Sequence, residues 1–580
     1  MRPRVALAAA GAVAVVAALG ACSKNTGDQG GNKDTIHTQS GGIGNAADSK
    51  GPAAPVPGAK KGGTIYLVQE KDFEHLDPQR IYVNNAQVFS RLFSRQLTAF
   101  VDDPKTHQST LVGDLATDPG KDTSGGKCTS WRFTLKDGLK YDDGSPITAA
   151  DVAYGVARSF SPDLADGPHY IQQWLADSVQ GYNKSYHGPY DGAPLVPPGV
   201  TVAGKTITFT FKHPHCDMPY AASWGTTSPV QKAKDTKTRY DLHPVSTGPY
   251  KIEKYSKDTS IVLSRNKYWD PATDPLRHQY ADHFQVEIGP DAVQQTNRMM
   301  ASNGNDAYGI MQASGGVDPT LVKKVQSDPS LKSRTLSGYT QFVWYLAINN
   351  QRITDLKVRQ ALNYGLDKRA FIQALGGPAK GEPAGTLESP TTNGYQKYDA
   401  YPYNPQKAKQ LLAGKHLKFV YAYGNTDNGQ KQATVVQDSL QKIGVQVVLK
   451  PIDAANYYTE ISKNHNPYDL YLAGWGSDWP SGSTIIPPVF DGRTIIPVGN
   501  NDYSYFANSD VSKRIDEINL LPADKAAPEW AKLDKEIMTK YAPLVPFYYQ
   551  KEYTLIGSKV GGVALGLSSG WPEYTSAFAK

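Results

Sequence analysis

The segment YDLYLAGWGSD, residues 468–478, decides the fold because it ends a regular alternation of strands and helices. The hydrophobic pattern predicts, in order, strand 417–423, helix 429–443, strand 445–450, helix 454–462 and strand 468–473. The last strand is apolar on both faces, which is typical of a strand covered by helices on either side. This order of elements predicts a parallel sheet with helical crossovers, and therefore an α/β protein.

A predicted loop, residues 474–478, follows the last strand. Ligands of parallel sheets bind beyond the carboxyl ends of the strands, which is where this loop lies. Gly474 and Gly476 would let the backbone approach a bound molecule closely. Trp475 offers a flat apolar surface, and Asp478 offers one negative charge. The segment contains no evident nucleophile, so it predicts a binding site for an amine-bearing or cationic molecule.

The rest of the chain predicts a mixed first part and a long helical stretch near its middle. The predicted elements are strands 64–68, 131–135, 207–211 and 341–349, helix 151–160 with Thr148 as its cap and Asp151 completing a capping box, helix 356–375 after Asp355, and a helix beginning at Asn404-Pro405. A folded part of about 520 residues is too large for a single core, so we expect two or more lobes.

The N-terminus has the features of an export signal. Arg2 and Arg4 precede an apolar run of residues 5–19 that is too short to span a bilayer. The following Leu-Gly-Ala-Cys looks like a bacterial lipobox, which implies removal of residues 1–21 and lipidation of Cys22. An ordinary secretory signal that happens to contain Cys is the alternative. Residues 22–61 are polar and poor in large apolar side chains, so they predict a flexible tether.

Composition excludes some function classes. Lys and Arg number 61 against 55 Asp and Glu, a net charge of +6 without a basic block, so nucleic acid is not an expected partner. The 35 Tyr and 9 Trp suit a surface that recognises other molecules. No stretch after the signal is long and apolar enough to cross a membrane.

Cys128 and Cys216 lie beside two predicted strands. In an oxidising compartment a disulfide between them is expected. The alternative is a metal site at His213-Pro214-His215-Cys216, which we disfavour because Pro214 breaks the strand and the sequence offers no second cluster of ligands.

Several motifs together resemble the extracytoplasmic solute-binding proteins of ABC importers, in the peptide/nickel/opine-binding family. They are residues 131–152 (WRFTLKDGLKYDDGSPITAADV), 247–250 (TGPY), 355–362 (DLKVRQAL) and 474–478 (GWGSD), with an early Leu76-Asp77-Pro78. The resemblance implies an α/β, two-lobed clamshell of the large peptide-binding type, with an extra subdomain in lobe I. It implies lobe I at 62–314, lobe II at 315–540 and a return to lobe I at 541–580.

The resemblance also implies roles for particular residues. Asp478 would hold the α-ammonium of a peptide, with Gly474, Trp475, Gly476 and Trp479 around it and with Tyr82 and Asn84 contributed by the other lobe. Each has a simpler alternative: a turn cap for Asp478, lobe core for Trp475, surface or helix-cap positions for Tyr82 and Asn84. The chain departs from the family after Asp478, where Trp479-Pro480-Ser481-Gly482 replaces an aromatic residue followed by Asp-Pro. No Arg can be assigned to the carboxylate of a ligand, which favours longer peptides over dipeptides.

The predicted function is capture of oligopeptides at the outer face of the cell membrane by a lipid-anchored monomer and their delivery to an ABC permease. We expect no cofactor, no metal and no catalysis. The alternatives are a solute of another class, such as a nickel chelate, an opine or an oligosaccharide, and a receptor for peptide signals.

A hydrolase is the remaining alternative, because residues 566–570 (GLSSG) match the string of a nucleophile elbow. That fold needs a His downstream of the Ser, whereas the last His of the chain is His465. A Gly/Ser loop is therefore the better interpretation.

Overall fold

The computed structural model describes residues 42–103 and 108–580. The predicted signal, residues 1–21, and Cys22 lie outside the described residues. The described end of the predicted tether packs on the folded part: Gly44 N donates to Leu111 O at 2.8 Å, and Gly113 N donates to the buried Ser49 hydroxyl at 2.8 Å. Residues 43–53 are therefore attached to the protein surface instead of forming a free linker.

The described residues form strands and helices in the following order. The strands are β1 Thr64–Gln69, β2 Thr98–Asp103, β3 Gln108–Gly113, β4 Lys121–Asp122, β5 Ser130–Thr134, β6 Val200–Ala203, β7 Thr206–Thr210, β8 Tyr250–Ser256, β9 Ser260–Arg265, β10 His283–Ile288, β11 Gly309–Met311, β12 Thr335–Ile348, β13 Gly381–Pro383, β14 Leu417–Gly424, β15 Val445–Ile452, β16 Leu470–Gly476, β17 Leu544–Leu555, β18 Val560–Gly561, β19 Ala564–Leu565, β20 Pro572–Glu573 and β21 Phe578–Ala579. The α-helices are α1 Asn84–Ser90, α2 Ala149–Arg158, α3 Tyr170–Ala176, α4 Met218–Ala221, α5 Ala292–Ala301, α6 Val322–Ser327, α7 Leu356–Gly365, α8 Lys368–Ala374, α9 Pro405–Leu412, α10 Asp427–Lys442, α11 Tyr457–Ile461, α12 Ile486–Phe490, α13 Ser509–Asn519 and α14 Ala523–Tyr541. None of these helices is long and apolar enough to cross a membrane.

The first lobe is built on a five-stranded sheet with the order β11-β1-β10-β9-β8. Strand β1 is parallel to β10 and β11, so the carboxyl ends of β1 and β11 lie side by side. Its core contains Ile65 and Leu67 together with Tyr574 and Ala577 from the end of the chain. The C-terminal segment therefore packs against the first strand of the lobe.

A four-stranded sheet, β4-β5-β7-β6, gives the first lobe an additional subdomain with its own core. Cys128 and Cys216 form a disulfide across it, which confirms the predicted pairing. Helix α2 covers the sheet and begins at the predicted capping box, in which Thr148 Oγ1 accepts from Asp151 N and the Asp151 side chain accepts from Thr148 N.

The second lobe is built on a six-stranded sheet with the order β13-β17-β12-β16-β14-β15. Strand β14 is parallel to β15 and β16, which confirms the parallel unit predicted from residues 417–473. Strand β12 is antiparallel to both β16 and β17, so the sheet is mixed. The lobes are named here by their sheets, and the residue boundaries expected between them stay predictions.

Two predicted elements differ from the structure. The predicted loop at Gly474–Gly476 is the end of β16, because both glycines stay in register with β12. The helix predicted at 356–375 is two helices, since the chain becomes extended at Leu366 and Asp367 caps α8 by accepting from Ala370 N. Strand pairing therefore outweighs the local pattern at the glycines, whereas a local aspartate cap divides the helix.

Strands β12 and β17 connect the two lobes. Their pairing begins at Thr335↔Leu555, beside the core shared with Val68 and Met311, and ends at Ala347↔Leu544 inside the second lobe. A bulge interrupts the pairing between Tyr339 and Val343. The stretch around residues 340–344 therefore lies where the lobes face each other.

A buried ion pair fixes the turn at Asp77-Pro78. Asp77 Oδ2 lies 2.9 Å from Arg158 Nη2, and both side chains are fully buried. Arg158 also lies 3.1 Å from Asp235 Oδ1 and donates to Gln79 Oε1 at 2.7 Å. Asp77 therefore stabilises the lobe instead of reaching into a site.

We predict that Asp77→Ala lowers the free energy of unfolding by about 3 kcal/mol, because it leaves a buried guanidinium with one carboxylate fewer. Asp137→Ala is the matched control, since Asp137 pairs with Lys205 on the exposed surface, and it should change stability by less than ~0.5 kcal/mol. Guanidinium denaturation of both variants measures the difference. Equal losses would contradict a dominant role for burial.

Candidate functional site

A cavity of about 1060 Å³ lies where residues of both lobes meet. This volume is near the upper end for small-molecule sites, which are about 300–1000 Å³. Its wall includes all seven residues predicted to contact a ligand: Tyr82, Asn84, Gly474, Trp475, Gly476, Asp478 and Trp479. The structure thus brings these residues to one cavity, while their roles in binding stay predictions.

The Asp478 carboxylate follows β16 and is held by hydroxyl groups of the first lobe. Asp478 Oδ2 accepts from Tyr82 OH at 3.2 Å and from Tyr170 OH. Its backbone N–H donates to Thr484 Oγ1 at 3.2 Å, which orients the turn after the strand. One carboxylate of the second lobe is therefore joined to two side chains of the first.

The surroundings of Asp478 make its negative charge costly. Burial raises the pKa of Asp478 to about 6, although the hydrogen bonds from Tyr170 and Tyr82 act in the opposite direction. Within residues 42–103 and 108–580, no Lys, Arg or His nitrogen lies within 4.0 Å of this carboxylate. Burial, together with the nearby Asp478, in turn raises the pKa of Tyr82. The carboxylate thus has neutral donors only, and a cation placed beside it would favour its ionised form.

Gly474 and Gly476 make room for aromatic rings of the neighbouring strand. A Cβ on Gly474 would lie 2.9 Å from Trp344 Cδ2, and one on Gly476 would lie 2.8 Å from Phe342 Cε1. These rings belong to the residues that pair with the glycines across β12 and β16. The predicted reason for the glycines, close approach of a guest, therefore needs correction: Trp344 and Phe342 fill the space, and they also line the cavity.

Trp475 lies on the opposite face of β16 from the two glycines. Its indole N–H donates to Thr484 O at 2.7 Å, and its ring packs against the core of the second lobe. It is only partly buried and it also borders the cavity. Trp475 therefore combines the two roles that the sequence left as alternatives, core packing and cavity wall.

The segment after Asp478, where the chain departs from the family pattern, reaches the first lobe. Trp479 is 3% exposed, and its ring centroid lies 4.6 Å from that of Tyr170 and 6.4 Å from that of Tyr220. The buried Asp217 accepts from Trp479 Nε1 at 3.2 Å and from the Ser483 hydroxyl. Burial raises the pKa of Asp217. These contacts join the two lobes directly beside Asp478.

Tyr82 and Asn84 come from the start of α1. Tyr82 is 41% exposed, and its ring centroid lies 5.5 Å from that of Trp224. Asn84 Nδ2 lies 3.4 Å from Ser569 O, so it contacts the Gly/Ser loop near the chain end. The first-lobe side of the cavity is therefore made from both early and late parts of the chain.

The nucleophile-elbow string, residues 566–570, lines the cavity without catalytic geometry. Among the described residues, no His side chain hydrogen-bonds to Ser568 or Ser569, and Ser569 Oγ accepts from Trp571 N at 3.3 Å. The part of the chain that the structure describes also holds no group of three or more His, Cys, Asp or Glu that could bind a metal ion. Cys216 is in the disulfide, so it is not available as a thiolate ligand.

Sequence reasoning missed one residue that contacts Asp478 and two residues of the cavity wall. Tyr170, the second hydroxyl on Asp478, lies on a short helix without a distinctive motif. Trp344 and Phe342 lie on a strand that was predicted, and the facing glycines Gly474 and Gly476 were a signal for large rings opposite them. That signal needs the strand register, which one sequence does not supply.

The chain is similar to known bacterial solute-binding proteins in sequence. A model of the family "Bacterial extracellular solute-binding proteins, family 5 Middle" matches residues 110–495. The periplasmic oligopeptide-binding protein OppA of Salmonella typhimurium is 25% identical, over 89% of this chain and 93% of the relative. The glutathione-binding protein GsiB of the same organism is 21% identical, over 84% of this chain and 89% of the relative.

A solved structure extends this similarity to the fold. The clavulanic acid biosynthesis oligopeptide binding protein 2 superposes with a TM-score of 0.81 at 29% identity, over 94% of this chain and 100% of that one. The two-lobed periplasmic-binding-protein fold is therefore confirmed. Since the family model covers more than half of the 580 residues, the chain belongs to family 5 of the bacterial extracellular solute-binding proteins, which are binding proteins and not enzymes.

Proposed function

We propose that the protein captures oligopeptides in this cavity by pairing their α-ammonium group with Asp478. The observation that carries the proposal is a half-buried carboxylate that has two tyrosine hydroxyls and, among the described residues, no cation beside it. A buried charge without a counter-charge is costly, and an ammonium group would supply that counter-charge. The similarity to OppA and to the clavulanic acid biosynthesis protein, both of them oligopeptide-binding proteins, supports a peptide as ligand.

The remainder of the cavity suits the body of a peptide. Partly buried Trp475 presents ring surface, while the end of β16 presents backbone groups near the glycines. Backbone pairing gives affinity for any peptide, because it does not depend on the side chains of the ligand. Charge-assisted hydrogen bonds to Asp478 would then orient the peptide by its N-terminus.

We further propose how capture serves uptake. The signal at 1–21 and a lipid on Cys22 would keep the protein, as a monomer, at the outer face of the cell membrane. Ligand contacts to both lobes would favour a closed conformation that docks on an ABC permease. The contacts of Trp479 and Asp478 with the first lobe support closure at this point.

The first prediction from the proposed function concerns the N-terminus of the ligand. Tetra-alanine should bind at least tenfold more tightly than N-acetyl-tetra-alanine, because acetylation removes the ammonium group that would pair with the buried carboxylate. Isothermal titration calorimetry with purified protein measures both affinities. Asp478→Asn should remove most of this difference, and equal binding of the two peptides to the wild type would remove the proposed role of Asp478.

The second prediction concerns pH. Because the pKa of Asp478 is raised to about 6, affinity for tetra-alanine should be near its maximum at about pH 7 and fall below pH 6, approaching tenfold per pH unit. The α-ammonium of the ligand stays protonated over that range, so the change reports the carboxylate. Asp478→Asn should give a flat profile between pH 5 and 7. A flat profile for the wild type would contradict the assignment.

The third prediction concerns the empty protein. A carboxyl group with a raised pKa contributes stability that is fully present below its unfolded pKa and is lost as the pH rises through the folded pKa of about 6. Asp478→Asn avoids that loss, so its Tm should equal or slightly exceed the wild-type Tm at pH 8, and the advantage should be smaller at pH 5, where only part of the wild-type contribution has been lost. A lower Tm of the variant at pH 8, measured by calorimetry, would favour a structural turn cap.

A further inference from the structure

Part of the cavity wall consists of buried polar side chains with unpaired atoms. In the described structure Gln69 Oε1, Gln312 Nε2, Gln341 Oε1 and Glu552 Oε2 are buried without a hydrogen-bond partner. All four residues line the cavity, and each is 5% exposed or less. Unpaired buried polar groups cost about 1–3 kcal/mol each and are rare in native proteins. Their concentration in one wall indicates polar groups of a ligand.

The orientation of the Gln312 carboxamide is determined by Trp571. The Trp571 indole N–H lies 2.7 Å from Gln312 Oε1. An indole nitrogen only donates, so the atom that faces it is the carboxamide oxygen. The amide nitrogen is then the unpaired atom, and Gln312 presents a hydrogen-bond donor in the wall.

Gln550 is oriented in the same way by Trp344. The Trp344 indole N–H donates to Gln550 Oε1 at 2.7 Å. The Trp344 ring is itself fixed, because it stacks on Tyr548 with centroids 6.3 Å apart and fills the space beside Gly474. Gln550 also lines the cavity, so a second carboxamide N–H₂ group is available there as a donor.

The cations near these amides are engaged within the protein or lie at its surface. Arg91 pairs with Glu573 at 2.6 Å, Lys551 pairs with Glu382 at 2.6 Å, and buried Lys380 donates to Gly315 O. Lys71 is exposed to solvent. The two carboxamide donors oriented by indoles are neutral, and the cations of the wall are engaged elsewhere or exposed to solvent, which favours the carbonyl oxygen of an amide over a carboxylate as the partner of these carboxamides.

The order of strands in the sheet gives the spacing between Gln550 and the end of β16, which Asp478 follows. Strands β16, β12 and β17 are consecutive neighbours, so the end of β16 and Gln550 in β17 are two strand spacings apart, about 10 Å. An extended peptide advances about 3.3 Å per residue. Asp478 follows the end of β16, so a peptide anchored there would need about three residues or more to reach Gln550.

We propose that Gln312 and Gln550 form a neutral amide subsite that donates hydrogen bonds to main-chain carbonyl oxygens of the bound peptide, beyond the residue held by Asp478. This proposal rests on the proposed function, since it deepens the description of the same cavity. Trp571, which follows the Gly/Ser loop, would thereby hold the Gln312 carboxamide in the orientation that binds the ligand.

Tetra-alanine amide, which has no carboxylate, tests the subsite by calorimetry. Gln312→Glu and Gln550→Glu keep the oxygen that accepts from the indole but replace the N–H₂ donor with an acceptor. Each should weaken binding on the order of tenfold or more. Gln312→Met, which removes the donor without adding charge, should also weaken binding. Gln437→Glu is the control, because Gln437 lies on α10 outside the cavity and should leave affinity within about twofold.

The outcomes separate this proposal from the proposed function. Wild-type affinity in both Gln→Glu variants would overturn the subsite alone, whereas failure of the wild type to bind tetra-alanine in either form would overturn the proposed function and the subsite together. Losses seen with free tetra-alanine but not with its amide would overturn the carbonyl assignment in favour of a carboxylate. If Gln312→Glu does not fold, Gln550→Glu and Trp571→Phe decide, because Trp571→Phe releases the Gln312 carboxamide and should reduce affinity.

Discussion

The pairing of β12 with β17 is the interaction on which the rest of the structure depends. These two strands begin in the core that holds Val68 and Met311 and end inside the second lobe. Their bulge lies between Tyr339 and Val343, next to the cavity. A β-bulge bends its strand and increases the local twist, which redirects side chains. The same strand pair thus joins the lobes and places Phe342, Trp344 and Gln550 in the wall.

The cavity combines a carboxylate that is costly to ionise with buried polar atoms that lack partners within the described protein. Asp478 is expensive to ionise in the empty protein, and several glutamine atoms nearby lack partners. Both features reduce the stability of the empty molecule, and the proposed peptide ligand, which carries an ammonium group and main-chain N–H and C=O groups, would relieve both. Binding sites commonly lower the stability of the empty protein in this way, because groups arranged for a ligand lack partners in its absence.

Much of the fold followed from the sequence because its signals are local. The capping box at Thr148, the cap at Asn404 and the parallel unit around β14 were all predicted and observed. The seven site residues were also predicted to lie together, and they do line one cavity. That prediction relied on resemblance, since the residues at 82–84 are far from those at 474–479 in sequence.

What escaped prediction depends on register and on long-range contacts. The glycines of β16 suggested an open approach to the backbone, whereas their partners across the sheet are the rings of Trp344 and Phe342. Tyr170 reaches Asp478 from another lobe, and no local pattern marks it. Likewise, the orientation of Gln312 depends on Trp571, which lies more than two hundred residues further along the chain.

The late position of Trp571 has a consequence for the order in which the site is completed. Synthesis delivers the chain from its N-terminus, so α1 and the strands of the first lobe exist before the Gly/Ser loop and the C-terminal residues that complete their core. Until residues 568–571 have folded back, Asn84 and Gln312 lack their contacts with that segment. Under the proposed function, the cavity would therefore be complete only after the C-terminal segment has folded back, and a chain trimmed near its C-terminus would carry a well-formed second lobe beside an unfinished cavity.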